Sequence, residues 1–368
     1  RFLKSSYEAF TMYRNTKNVP YYVFGRGSLA QLGDLLKPRR EAVDGPVVYF
    51  VDHFFRDHEL IGRLPMEKGD QLHFVDSSSE PEVTRIDAFK EAVSAADSRT
   101  PCCVVGIGGG NALDTAKAVA NLLTNPGKAE DYQGWELVKN PGVYKIGIPT
   151  LSGTGSECSR TCVLTNIPKN LKLGMNSDYT VYDQLLLDPD LLATVPRDQY
   201  FYTGIDTFMH CVESLQGSYR NAIIDAFSVR AVQLCEEIFL SDDMMSEDNR
   251  EKMMIASYIG MAAGNVGVIH PFSAGLGVVL HVAHGLGNCL ALNVLGDIYP
   301  KEYKQFRTMI ERQGVNLPTG ICKDLTEEQY EGLYRGCIVH EKPLTNALGP
   351  DFKQILTREN LIERYKSI

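Results

Sequence analysis

Residues 102–117 read CCVVGIGGGNALDTAK, and the architecture of the chain can be read outward from them. It opens with a short, apolar, β-branched run of the kind that forms a buried strand. That run passes into Gly106-Ile107-Gly108-Gly109-Gly110, and from Ala112 to Leu123 apolar residues recur at helical spacing. A strand, a glycine turn and a helix N-terminus in this order bring free backbone N–H groups and a positive dipole end to one point, which suits a pyrophosphate. Three consecutive glycines cost more backbone entropy than a tight turn needs, so close approach of a ligand explains them better. The loop matches neither the GxGxxG fingerprint nor the Walker A pattern, so context carries the reading. Asp114 falls in the first helical turn, where an acid suits the dipole.

The rest of the first half keeps the same rhythm. Residues 47–51 (VVYFV), 71–75, 102–107 and 145–148 predict short strands bounded by Gly, Pro or Asp. Between them, Val83, Ile86, Phe89 and Val93 recur at helical spacing. Alternating strands and helices imply a parallel sheet with helices on both faces. The strand at 47–51 ends in Asp52. An acid there can hold both ribose hydroxyls of NAD and repel the 2′-phosphate of NADP. The small-residue run PTLSGTGSE at 149–157 follows another strand, and its hydroxyls and amides can bracket ribose and phosphate.

The second half changes character. Residues 218–259 contain no Gly and no Pro and read as helical. Further helices are expected near 299–312 and after Thr326, where Thr326-Glu327-Glu328-Gln329 fits a capping box. The expected organisation is an α/β dinucleotide-binding domain over 1–192 and an all-α domain over 193–368. They meet at DPDLLATVP, residues 188–196, with a ligand site in the cleft between them.

Composition narrows the function. A chain of 368 residues suits two domains and buries a core without staples, so a bound metal would be functional. A net charge of −9 and the lack of any basic run argue against nucleic acid and anionic membranes. No apolar stretch approaches the roughly 20 residues that span a bilayer. The start, Arg1-Phe2-Leu3-Lys4, has no Met and no apolar signal core, and a cytoplasmic location is expected. The nine Cys include no CxxC pair and are expected as buried, reduced thiols.

Of eight His, four fall between positions 210 and 284. Asp206 and His210, in GIDTFMHCVES, are spaced i, i+4 and share one helical face. His270, His281 and His284 follow in NVGVIHPFSAGLGVVLHVAHGLGNC. On one straight helix His270 and His284 would lie roughly 21 Å apart. Imidazoles sharing a metal need Cα atoms within roughly 12 Å, so the chain must turn. Pro271, Gly275, Gly277 and Gly285 offer places for that turn. One carboxylate and three imidazoles suit Fe²⁺ or Zn²⁺ rather than Mg²⁺ or Ca²⁺.

With these motifs together, the chain resembles the iron-type (group III) alcohol dehydrogenase family. The resemblance runs from Phe24-Gly25-Arg26-Gly27-Ser28 through GIGGGNALDTAK, PTLSGTGSE and GIDTFMH to the His270/His284 pair. It implies a dehydroquinate synthase-like architecture and one divalent metal held by Asp206, His210, His270 and His284. It implies pyrophosphate binding at Gly108, Gly109 and Gly110, with Asn111 where a Ser is usual and Asp114 nearby. Asp52 falls at the adenosine-ribose position, and Thr150, Ser152, Thr154 and Lys172 line the cofactor cleft. The implied activity is hydride transfer between NAD and a primary alcohol or aldehyde, in a homodimer.

Two features refine the resemblance. Many members carry another His four residues after the third ligand; here that position is Ala274, and His281 becomes the candidate proton relay. The run HPFSAGLGVVLHVAHGLGNC is most similar to the 3-deoxy-D-manno-octulosonate 8-oxidase branch, which oxidises a primary hydroxyl of an eight-carbon sugar acid. That substrate, which would tie the chain to lipopolysaccharide biosynthesis, needs a local cation. Arg160, just after Ser156-Glu157-Cys158-Ser159, is the candidate. Pairing of Arg160 with a nearby acid such as Glu157 is the alternative. Two other readings of the whole chain are a sugar-phosphate cyclase of the dehydroquinate synthase type and a catalytically silent binding protein of the same fold. The Asp206/His210 pair favours a dehydrogenase over the first.

Overall fold

The computed structural model describes residues 17–368. The expectation drawn from Arg1–Lys4 lies outside the described residues. Six parallel strands form the main sheet: β1 (Tyr21–Phe24), β2 (Val47–Asp52), β3 (Gln71–Val75), β4 (Cys103–Gly108), β6 (Lys145–Pro149) and β9 (Gln184–Leu187). Their spatial order is β1-β9-β6-β4-β2-β3. A smaller sheet joins β5 (Gly134–Trp135), β8 (Leu171–Asn176) and β7 (Thr161–Asn166). The four expected strands are β2, β3, β4 and β6; the other five were not anticipated.

Alternation along β2 builds two cores. Val48 and Phe50 pack with Val83, Ile86 and Val93 of α2 (Val83–Ala96) and with α3 (Gly110–Leu122). Val47, Tyr49 and Val51 face the other way, toward Leu32 and Leu36 of α1 (Leu32–Ala42). The predicted covering of both faces is therefore present. Because both faces are covered, the strands read as continuous apolar runs. All nine Cys are buried and unpaired, as expected.

Past a short turn at Pro189–Leu192 the chain is helical: α4 (Arg197–Gln216), α5 (Ala222–Phe239), α6 (Glu247–Ala263), α7 (Ile269–Leu280), α8 (His284–Val294), α9 (Pro300–Gln313), α10 (Glu327–Ile338), α11 (Glu341–Leu348), α12 (Phe352–Ile355) and α13 (Arg358–Lys366). The capping box is made: the Gln329 amide donates to Thr326 Oγ1 (3.2 Å) and the Thr326 amide to Gln329 Oε1 (3.0 Å). The stretch 218–259, read as helical, is built from two helices, α5 and α6. Asn221 caps the first, accepting from Ile223 and Ile224. In the break, Asp243 accepts from the Met245 amide and Ser246 caps α6, side-chain bonds that compete with the helical ladder. No helix among the described residues is long and apolar enough to cross a membrane.

The turn between His270 and His284 also falls elsewhere than expected. It lies at 281–283, where His281 takes φ 55° and ends α7. Pro271, Gly275 and Gly277 stay inside α7. Pro271 is tolerated because first-turn N–H groups lack helical partners anyway. Gly275 serves packing: a Cβ there would sit 2.6 Å from the Leu333 carbonyl oxygen of α10.

Candidate metal centre and nucleotide cleft

The strand order reverses direction between β2 and β4. In such sheets ligands bind beyond the carboxyl ends of the strands at this switch point. There the end of β2 presents Asp52 and the end of β4 presents the glycine turn. Gly108 has φ +151°, and a Cβ would lie 2.6 Å from the Ala112 Cβ and 2.9 Å from the Asp52 Cβ. Only glycine lets the turn pass between helix and strand. No side chain caps α3, so its first amides stay open. One cleft of about 360 Å³ is lined by Asp52, Gly109, Gly110, Asn111, Thr150 and Thr154 from the sheet and by His281 and His284 from the helices.

Asp206 and His210 stand one turn apart on α4, His270 in the first turn of α7, and His284 at the head of α8. Donor atoms of Asp206, His270 and His284 lie within 4.8 Å of one another. His270 Nε2 is 3.1 Å from Asp206 Oδ1, and His284 Nε2 is 3.5 Å from Asp206 Oδ2. His210 flanks this trio instead of closing on the same point. Its Nδ1 is 3.7 Å from Asp206 Oδ1, and its ring lies over His270 with centroids 4.2 Å apart.

Electrostatics suit a cation. Burial disfavours the Asp206 carboxylate, but His210, His284 and His270 around it hold its pKa well below the ordinary value. Burial, opposed by Asp206, brings His210 down to about 3 and His284 down to about 4. Burial opposes charge on His270 too, yet Glu213 and Asp206 raise it to about 10. Metal binding at this imidazole would compete with its proton. Asp206 Oδ2, His210 Nδ1 and His284 Nδ1 are buried without hydrogen-bond partners among the described residues. An anionic carboxylate with orphaned imidazole nitrogens beside it fits a divalent cation.

The other expected residues divide. Ser152 is buried and does not line the cleft. Lys172, on β8, is buried and pairs with Glu80 at 3.0 Å; only Glu80 of the two lines the cleft. Asp114 does not reach the cleft, which corrects its expected part in cofactor binding. Its carboxylate accepts from Ser156 Oγ and from the Val163 amide (2.8 Å), and lies 3.2 Å from the buried Lys117 ammonium. Those bonds tie α3 to β7.

Arg160 is likewise corrected as the substrate cation. It pairs with Asp178 (2.8 Å) and Glu136 (2.5 Å), outside the cleft. Neither acid is Glu157, which is buried and accepts from Ser257 at 2.7 Å. The cause is strand pairing: β7 and β8 place Thr161 opposite Asn176, which sets Arg160 beside Asp178.

Two residues of the centre escaped the sequence reading. Glu213 accepts from His270 Nδ1 (2.5 Å) and from the Ile269 amide (2.5 Å), fixing the imidazole. Asn288 donates to Asp206 Oδ1 at 2.6 Å and lies 3.3 Å from His284 Nε2. The signal was available: Glu213 is three residues past His210 and Asn288 four past His284, spacings that share a helical face.

A glycine-lined cleft at a parallel-sheet switch point, opening onto a buried carboxylate–imidazole centre in a helical unit, defines a class of two-domain protein. Known proteins place it further. A family model described as iron-containing alcohol dehydrogenase matches residues 20–189, and one described as the C-terminal part of the Fe-containing alcohol dehydrogenase family matches 200–332. The chain belongs to the iron-containing alcohol dehydrogenase family. It is similar to a sulfoacetaldehyde reductase of Bilophila wadsworthia, 34% identical over 58% of this chain and 56% of that protein. It also resembles an NAD-dependent methanol dehydrogenase of Bacillus methanolicus, 29% identical over 73% of this chain and 71% of that one. The chain thus aligns with little more than half of the first relative's length. In fold it matches the NAD⁺ complex of a sulfoacetaldehyde reductase from Bifidobacterium kashiwanohense, with TM-score 0.78, 24% identity and coverage of 96% and 98% of the two chains. An alcohol dehydrogenase from Oenococcus oeni gives TM-score 0.81 at 21% identity, covering 96% and 99%.

Proposed function

We propose that this protein is an NAD-dependent, divalent-metal-dependent alcohol dehydrogenase acting on a small primary alcohol or its aldehyde. The observation that carries the reading is the single cleft shared by Asp52, the glycine turn and His284. Asp206, His270 and His284 would hold the metal, Fe²⁺ or Zn²⁺ by donor type, with the flanking His210 turning in as the fourth ligand. When bound, such an ion supplies Lewis acidity toward an alcohol oxygen, and NAD supplies the hydride acceptor. The chain's own part is positional. Glu213 orients His270, Asn288 holds Asp206, and the turn at Gly108 brings backbone amides to the pyrophosphate. An assay of NADH formation against a panel of alcohols, with Fe²⁺ or Zn²⁺ added, tests the reading; no reduction of NAD with any alcohol would reject it.

Relatives named for methanol and sulfoacetaldehyde favour a small substrate. The finer reading, oxidation of a sugar acid as in the 3-deoxy-D-manno-octulosonate 8-oxidase branch, keeps the support of the 270–289 run. It has lost Arg160 as its cation.

Asp52 should set nucleotide choice. Replacing it with Gly is expected to bring the affinities for NAD and NADP together, read by calorimetry. Equal binding of both nucleotides by the wild type would remove this role.

His281 is our candidate for proton release in place of the His absent at Ala274. It is exposed and lines the cleft three residues before His284. An imidazole there can pass protons to water. His281→Gln is expected to lower kcat about tenfold or more on the acidic side of the pH–rate profile. An unchanged profile would leave His281 as only the left-handed cap of α7.

A further inference from the structure

Asn111 heads α3 where the resemblance leads one to expect a Ser, yet its side chain serves the neighbouring loop. Nδ2 donates to the Ser79 carbonyl (2.8 Å) and the Ser77 carbonyl (3.3 Å). Ser77 passes the connection on: its hydroxyl donates to Asp52 Oδ1 at 2.9 Å. The same oxygen accepts from the Phe54 amide at 3.0 Å. Asp52 Oδ2 has no hydrogen-bond partner among the described residues.

Loop 76–80 has little else to hold its middle. Ser78 bonds only to Asp76, inside the loop, and Ser79 Oγ is buried without a partner. The remaining ties are at the two ends, Asp76 to Arg85 (3.5 Å) and Glu80 to Lys172 (3.0 Å). Asp52, Ser77, Ser79 and Asn111 all line the cleft.

A carboxylate on a strand end can rotate. To accept from a ribose hydroxyl and repel a phosphate at the same place, it must be held still. Two donors on Oδ1 do that and leave Oδ2 for the ligand. One of the two, Ser77, is in place only while the loop is.

We propose that Asn111 is a positioning residue for nucleotide choice. It clamps loop 76–80, the loop holds Ser77 on Asp52, and the fixed Asp52 selects a ribose with a free 2′-hydroxyl over one bearing a 2′-phosphate. This replaces direct phosphate binding by Asn111 and rests on the NAD-dependent reading above.

The test uses the full chain with Asn111→Ala, Asn111→Ser, Ser77→Ala and the Asn111→Ala/Ser77→Ala pair. Calorimetry gives NAD and NADP affinities, and hydrogen exchange without nucleotide follows the amides of residues 76–80. Each single variant should weaken NAD about three- to tenfold, the scale of one hydrogen bond, with NADP unchanged or tighter. Asn111→Ser should behave like Asn111→Ala although it restores the hydroxyl. The double variant should be no worse than the weaker single, because both act through one chain of contacts. Exchange over 76–80 should speed up in both Asn111 variants. Equal weakening of NAD and NADP would instead mean that Asn111 touches the phosphates common to both, and would overturn the proposal. So would unchanged exchange, which rejects the clamp whatever the nucleotide does. Wild-type protein binding neither nucleotide would reject the NAD-dependent reading itself, and the ribose role with it.

Discussion

His270→Ala is expected to lose the metal and to lower kcat/KM for alcohol oxidation by about 10³-fold or more, with the fold intact. The imidazole is held on both sides, by Glu213 at Nδ1 and by Asp206 beside Nε2. No neighbour can take its place. Asn288 is already spent on Asp206, and His210 packs at a tilt against the ring that would be removed. The variant also leaves Glu213 with a buried charge facing a gap, which costs roughly 1–3 kcal/mol of stability. The fold is expected to absorb that loss, because the large apolar cores on both faces of the sheet and among the helices keep all their side chains in this variant. Elemental analysis and circular dichroism on the same sample check both halves. Full metal occupancy would take His270 out of the ligand set.

Glu213→Gln should weaken metal binding by about 10- to 100-fold, the usual effect of losing an outer partner of a ligating imidazole. The substitution keeps the shape and an acceptor for the Ile269 amide. What it removes is the charge that helps raise His270 to about 10 and holds the ring in one orientation. Competition with a chelator gives the dissociation constant. Activity should return toward the wild-type value at saturating metal, a recovery that a merely misfolded variant would not show. If affinity is unchanged, Glu213 serves only to hold the head of α7.

The parallel sheet was legible because burial on both faces leaves nothing to alternate. The runs at 47–51, 71–75, 102–107 and 145–148 carry their own signal. β1 escaped because it is an edge strand with Tyr21 and Tyr22 exposed. β7 and β8 escaped because their polar Thr, Lys and Asn positions read as loop. Asp206 and His210 were legible as a pair for a local reason, since one helical turn fixes their spacing.

Local sequence carries the chemistry: the apolar runs of β2, β3, β4 and β6, the glycines that permit close approach of a ligand, and the residue types that suit a metal. Which of these meet is set by contacts across the fold. His270 and His284 converge on Asp206 because α7 ends at His281 and α8 starts again at His284. Arg160 is drawn from the cleft because β7 pairs with β8 and delivers Asp178 to it. Asp114 is taken by Ser156 and Val163 in the same way. Each outcome depends on contacts between residues far apart in the chain, set by packing and strand pairing, and short-range spacing carries no record of them.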